Sequence, residues 1–171
     1  MNDFAQEIEA WHDFFILSGT MAATLMGLLF VSLSIRVDVR TQAETGLLRV
    51  TAGNNFGSYL SVMLFSLFFL IPDQDANALA TEIFFTSLFP LYLVVRGYLR
   101  MRHHPELTRI GEFWRFIVPI ACYLLGIFVA IALYFNDDTE VYWFVTIVAL
   151  LLVVPTRNAW AMISDAPREI T

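Results

Sequence analysis

The chain reads as an all-α integral membrane protein, a helical bundle with five transmembrane helices. Three observations predict this. Of its 171 residues 58% are hydrophobic and 15% charged, with a mean hydropathy of +0.65, whereas a soluble domain carries about 25% charged residues. Charge-free apolar runs recur along the chain, and a helix needs about 20 such residues to cross roughly 30 Å of hydrocarbon. The charges between those runs also alternate in sign from one connection to the next.

The spans are taken in order. Phe14 to Ile35 lies uncharged between Asp13 and Arg36, and Val50 to Pro72 between Arg49 and Asp73. Ile83 to Val95, between Glu82 and Arg96, is too short alone and spans only if it begins near Ala76. Glu82 then sits in the outer leaflet or reaches up to water. Phe116 to Asn136 lies between Arg115 and Asp137. Val141 to Thr156 continues past Arg157 to Ile163, with Arg157 near the inner headgroups. The five spans are therefore about 14–35, 50–72, 76–95, 116–136 and 141–163, in one transmembrane domain covering 1–171.

Charge tests the count. With five spans, one set of connections carries ten acids and no arginine, and the opposite set carries all ten arginines and six acids. The two sides sum to −10 and +4, which reproduces the net −6. Because basic residues are retained on the cytoplasmic side, the N-terminus is expected outside and the C-terminus in the cytoplasm. Four spans would scatter arginine onto both sides. Trp11 and Trp143 fall at one boundary and Trp114 and Trp160 at the other, as amphipathic rings prefer. The first run has an acidic leader and arginine after it, so it reads as a span and not as a signal peptide. The tail Asn2 to Trp11, with Phe4, Ile8 and Trp11 on one side, reads as a short amphipathic surface helix.

The missing residue types narrow the chemistry. There is no lysine, so no Schiff base or phosphate-loop lysine. A single cysteine makes neither an intrachain disulfide nor a cysteine-ligated metal centre. His12, His103 and His104 all lie outside the apolar runs, so none is placed to ligate a haem in the bilayer. His103-His104 has only Glu106 nearby to support a metal. No enzyme, cofactor, metal or nucleic-acid site is expected. The basic segment Arg96 to Arg115 reads as a loop that attracts anionic headgroups at the cytoplasmic face, at about 1 kcal/mol per basic residue.

What remains is helix surface. Gly19, Ala23 and Gly27 form a small-residue ladder on the first span, with Thr20 and Thr24 on the same side. Small residues let backbones approach where no hydrophobic force drives helices together. Close packing is the plainer reading; the alternative is a narrow pore, threonine oxygens facing a passing ion. The second span repeats the theme with Gly53 and Gly57, and adds a polar stripe of Asn54, Ser58 and Ser61. That stripe is an interhelical seam or a hydrated vestibule. On the fourth span Cys122, Gly126 and Ala130 share a face with Pro119. Glu82 and Arg157 are the charges nearest the hydrocarbon and so the candidate functional charges, with snorkelling to an interface the plainer reading. Pro90 and Pro155 are candidate kinks.

Trp11-His-Asp-Phe-Phe15, followed by Gly27-Leu-Leu-Phe-Val-Ser-Leu-Ser34, resembles a group of small bacterial inner-membrane proteins. Those share an N-terminal W-H-D-F motif and a G-L-L-F-V-x-x-S end to the first span, and some are labelled modulators of a membrane-anchored protease. The resemblance implies a bacterial inner membrane and makes His12 and Asp13 a candidate motif site. The expected function is an accessory or regulatory subunit working through helix contacts, as a homo-oligomer or against a larger membrane partner. The alternative is a homo-oligomeric ion-conducting pore lined by the first or second span.

Overall fold

A computed structural model describes residues 11–36, 42–72, 74–102, 109–135 and 141–164, and every regular element among them is helical. Five long helices form the bundle: α1 (His12–Arg36), α2 (Gln42–Phe69), α3 (Ala76–Met101), α5 (Val118–Phe135) and α6 (Val141–Ser164). A short helix α4 (Arg109–Glu112) runs through a π-helical turn, Phe113–Ile117, into α5. Four of these stretches are long and apolar enough to cross a membrane: His12–Ser34, Ala76–Met101, Ile110–Phe135 and Tyr142–Ala161. The exception is α2, whose Asn54, Asn55 and recurring serines lower its apolarity.

The most polar long helix is also the most enclosed. α2 packs against α1, α3 and α6, while α5 closes the far side of the bundle against α3 and α6. α1 is peripheral: 22% of its spanning window is buried, against 44% for α5 and for α6. This is the order a bilayer favours, since polar side chains need protein partners and apolar ones can face lipid.

Helix ends follow local chemistry. Beyond α2, Leu70 donates to the Leu67 carbonyl and Ile71 to that of Phe68, both at 3.2 Å, a tightened last turn before Pro72. Proline disfavours helical geometry in the residue before it, so the chain reverses there. Asp75 opens α3 in an extended conformation. The π turn ends just before Pro119, where the Val118 amide donates to the Phe113 carbonyl. Pro119 lacks an amide hydrogen, so the regular ladder must lose a bond near this point. Pro90 and Pro155 both lie inside continuous helices.

One expectation is corrected, and one helix runs beyond its expected span. The segment Arg96 to Arg115 is not one loop: α3 continues through Arg96 and Arg100 to Met101, and helix resumes at Arg109. Likewise α2 starts at Gln42, before Arg49. A charge marks where hydrocarbon ends, not where a helix must, because backbone bonding continues in the interface. The amphipathic tail up to residue 10 and the His103-His104-Glu106 cluster lie outside the described residues.

The small-residue sites divide cleanly. At Gly19 an added Cβ would lie 2.9 Å from the Ser66 Cβ, and at Gly126 it would lie 2.6 Å from the Ser87 Oγ. Ala130 is buried in the core. These three hold α1 to α2 and α3 to α5. Gly27, Gly53 and Gly57 have nothing within 4 Å of an added Cβ, and Ala23 is exposed. These four therefore do not pack against a neighbouring helix within the protomer. The pattern gives spacing, and α1 meets α2 through Phe15, Ser18, Gly19 and Ala22, at the edge of the ladder.

Gly19→Ala should therefore destabilise by about 1–3 kcal/mol through overpacking, because the Cβ it meets cannot rotate away. Gly27→Ala and Gly53→Ala should be neutral or stabilising by about 0.5–1 kcal/mol from helix propensity. Thermal unfolding of the three variants in one detergent checks the ranking.

Candidate functional site

Two features distinguish the protein from a plain apolar bundle: a buried polar face on α2 and an uncovered face shared by α1 and α2.

Thr51, Asn54, Asn55 and Ser58 stand at i, i+3, i+4 and i+7, one side of a helix, and all four are buried. Ser61 continues the face one turn on, also buried. The hydroxyl protons can be assigned from the geometry, since each hydroxyl donates once. Ser58 donates to the Asn54 carbonyl at 3.0 Å and Ser61 to the Gly57 carbonyl at 2.9 Å. The Tyr123 hydroxyl of α5 therefore donates to Ser61 Oγ, 3.3 Å away. Thr156 of α6 gives its proton to the Leu152 carbonyl at 2.7 Å, so the Tyr59 hydroxyl donates to Thr156 Oγ1 at 3.0 Å. The Asn158 amide donates to Asn55 Oδ1 at 3.4 Å. The stripe expected on the second span is thus inside the protomer, enclosed by α5 and α6, and does not face a shared axis.

Thr20 and Thr24 behave differently. Both are exposed, and each donates to a carbonyl of its own helix, Ile16 at 2.8 Å and Thr20 at 2.9 Å. Their protons satisfy the helix and their oxygen lone pairs face outward, beside Ala23 and Gly27. Antiparallel pairing fixes the level of this face against α2. Phe15 stacks on Phe69 with centroids 4.1 Å apart, Ser66 donates to Ser18 Oγ at 3.1 Å, and Phe30 meets Phe56 at 5.6 Å. That register puts Gly27 opposite Gly57, with Gly53 one turn along, around the Phe30–Phe56 contact on the outside of the pair.

The motif residues separate in the same way. Trp11, Phe14 and Phe15 enter an aromatic cluster: Trp11 meets Tyr142 edge-on at 5.2 Å, and Phe69 meets Phe144 at 5.0 Å. His12 and Asp13 are exposed and turn away from it. The aromatic positions of W-H-D-F-F thus account for packing between α1, α2 and α6. Sequence spacing alone could not distinguish them from the polar pair.

Both candidate charges find partners at helix ends. Glu82 is half-buried and accepts from the Gln74 side-chain amide in the α2–α3 connection. Arg157 is exposed and sits 4.8 Å from the Trp114 ring centroid, a cation–π contact. At the same end the Tyr98 hydroxyl donates to Glu112 at 2.8 Å, tying α3 to α4. Among the described residues no group of three His, Cys, Asp or Glu side chains is placed to hold a metal ion. Cys122 is a buried free thiol in the α3–α5 packing.

No family model, curated protein or solved structure matches this chain.

A double-mutant cycle over Ser61→Ala and Tyr123→Phe should return a coupling of about 0.6 kcal/mol, the average for hydrogen bonds between membrane helices. Additive losses in unfolding free energy would show that this contact does not tie α2 to α5.

Proposed function

We propose that this is a non-enzymatic, five-span protein of the bacterial inner membrane, an accessory or regulatory subunit that acts through helix contacts with a larger membrane protein. α2 is read as the fifth span because it lies antiparallel to α1 and is enclosed by three spanning helices. With the N-terminus outside, all ten arginines face the cytoplasm and its anionic headgroups. The observation that carries the functional reading is the uncovered face of Ala23, Gly27, Gly53 and Gly57. Small residues there give an incoming helix close backbone approach, and the protomer itself does not use it.

The second reading, a homo-oligomeric pore, draws on the exposure of Thr20 and Thr24 beside the same small residues. It favours α1 over α2 as the lining, because the Asn54–Ser58–Ser61 stripe is buried within one protomer.

Single cysteines at Gly27 and Gly53, in a Cys122→Ala background, test both readings by cross-linking in native membranes. The accessory reading expects an adduct with a second, different membrane protein, abolished by Gly57→Leu while the unfolding temperature is kept. A ladder of multiples of 19.5 kDa would favour the homo-oligomer. In that case Thr20→Leu should abolish ion flux without loss of assembly, and undiminished flux excludes an α1-lined pore. No adduct from either position overturns docking at this face.

A further inference from the structure

The buried face of α2 contains more polar atoms than the protein satisfies. Thr51 Oγ1, Asn54 Nδ2 and Asn55 Nδ2 have no hydrogen-bond partner, and each residue is at least nine-tenths buried. They share one side of α2, at i, i+3 and i+4. Nearby groups are already committed. Asn55 Oδ1 takes the Asn158 amide, and the protons of Ser58, Ser61, Tyr59 and Thr156 are all donated elsewhere. None of those protons is free to be donated to Thr51 Oγ1. On the α3 side, Gly97 is the position opposite Asn54: a Cβ there would come within 3.9 Å of Asn54 Oδ1 and 3.0 Å of Val50 Cγ1.

Unpaired polar groups at membrane depth are costly unless protein or water meets them. Exchanging oxygen and nitrogen in either amide only replaces an unpaired donor by an unpaired acceptor. We infer that Thr51, Asn54 and Asn55 form a binding niche for a water-sized, lone-pair-bearing ligand, a water molecule or a halide, inside the arginine-bearing half of the bundle. Buried waters typically make about three hydrogen bonds to groups otherwise left unsatisfied, and three such atoms stand on this side of α2. A halide would draw on the same donors and on the positive end of the protein, where Arg49 and Arg157 are exposed. Glu112, the carboxylate leading into the π turn, is engaged by Tyr98. The inference does not depend on what covers α1.

Ser87 is the internal contrast. Its hydroxyl is equally buried and unpaired, but an added Cβ at Gly126 would meet it at 2.6 Å, so it faces packed backbone on that side. Thr51→Val and Asn54→Leu, near-isosteric and apolar, should each lower the unfolding temperature by several degrees, while Ser87→Ala should not. Replacing gluconate by chloride then separates the ligands. A rise in unfolding temperature with chloride, lost in Thr51→Val, identifies a halide; no chloride response with both variants still destabilised identifies water. Unchanged or raised unfolding temperatures in Thr51→Val and Asn54→Leu overturn the niche. A measurement on the unaltered protein guards against variants that fail to fold. In lipid nanodiscs held in chloride-free buffer, the Asn54 and Asn55 side-chain amide protons should show magnetisation transfer from water, and its absence there together with no chloride response overturns the inference.

Discussion

The architecture depends on one constraint: α2 is too polar to face lipid along its length. In hydrocarbon each unsatisfied polar group costs several kcal/mol, and α2 carries Thr51, Asn54, Asn55, Ser58, Ser61 and Ser66 on buried positions. The other long helices are arranged accordingly, with α1, α3 and α6 directly against it and α5 sending the Tyr123 hydroxyl to its serines. Each bond contributes little by itself, so their role is orientation. The mass of the packing comes from aromatic and aliphatic residues, with Phe15, Phe65, Phe69 and Phe144 at one end and Phe116 at the other.

The small residues show how far one pattern serves two purposes. Gly19 and Gly126 sit at crossings where another atom would collide with a neighbouring serine. Gly27, Gly53 and Gly57 meet nothing, although a helix interior penalises glycine by roughly 0.5–1 kcal/mol against alanine. Three glycines without an intramolecular reason, within one turn of each other along an antiparallel pair, place a cost on folding that association through that face would offset. This is why the uncovered face, rather than the buried seam, carries the proposal about partners.

Much of the fold was legible because lipid imposes strong, one-dimensional signals. Long apolar runs located the four most apolar helices, one of them only once extended back past Glu82 to Ala76. What was not legible were matters of azimuth and bonding. Ala23 and Ala130 have the same spacing relative to their glycines, yet one is exposed and the other buried, because only the neighbouring helix decides which side is inside. Asn54 read as part of a seam with a vestibule as the alternative, and its enclosure depended on α3 and α6, distant in sequence. The helical course of Arg96 and Arg100 was hidden by treating charge as a helix end. The π turn had a trace in Pro119, but a proline predicts an interrupted ladder and not the form the interruption takes.

The interruptions themselves are placed with the polar groups. Pro155 has no amide hydrogen to offer the Leu151 carbonyl, and it directly precedes Thr156, the acceptor of Tyr59. Pro119 lies between Phe116, which closes on Gly97 near Asn54, and Tyr123, which reaches Ser61. Both prolines are buried. Irregular backbone at membrane depth is tolerated where protein or a wet cavity covers it, so the weakest parts of the α5 and α6 ladders turn inward to the one region already furnished with polar side chains. The polar core of α2 therefore makes two proline-bearing helices compatible with a bilayer.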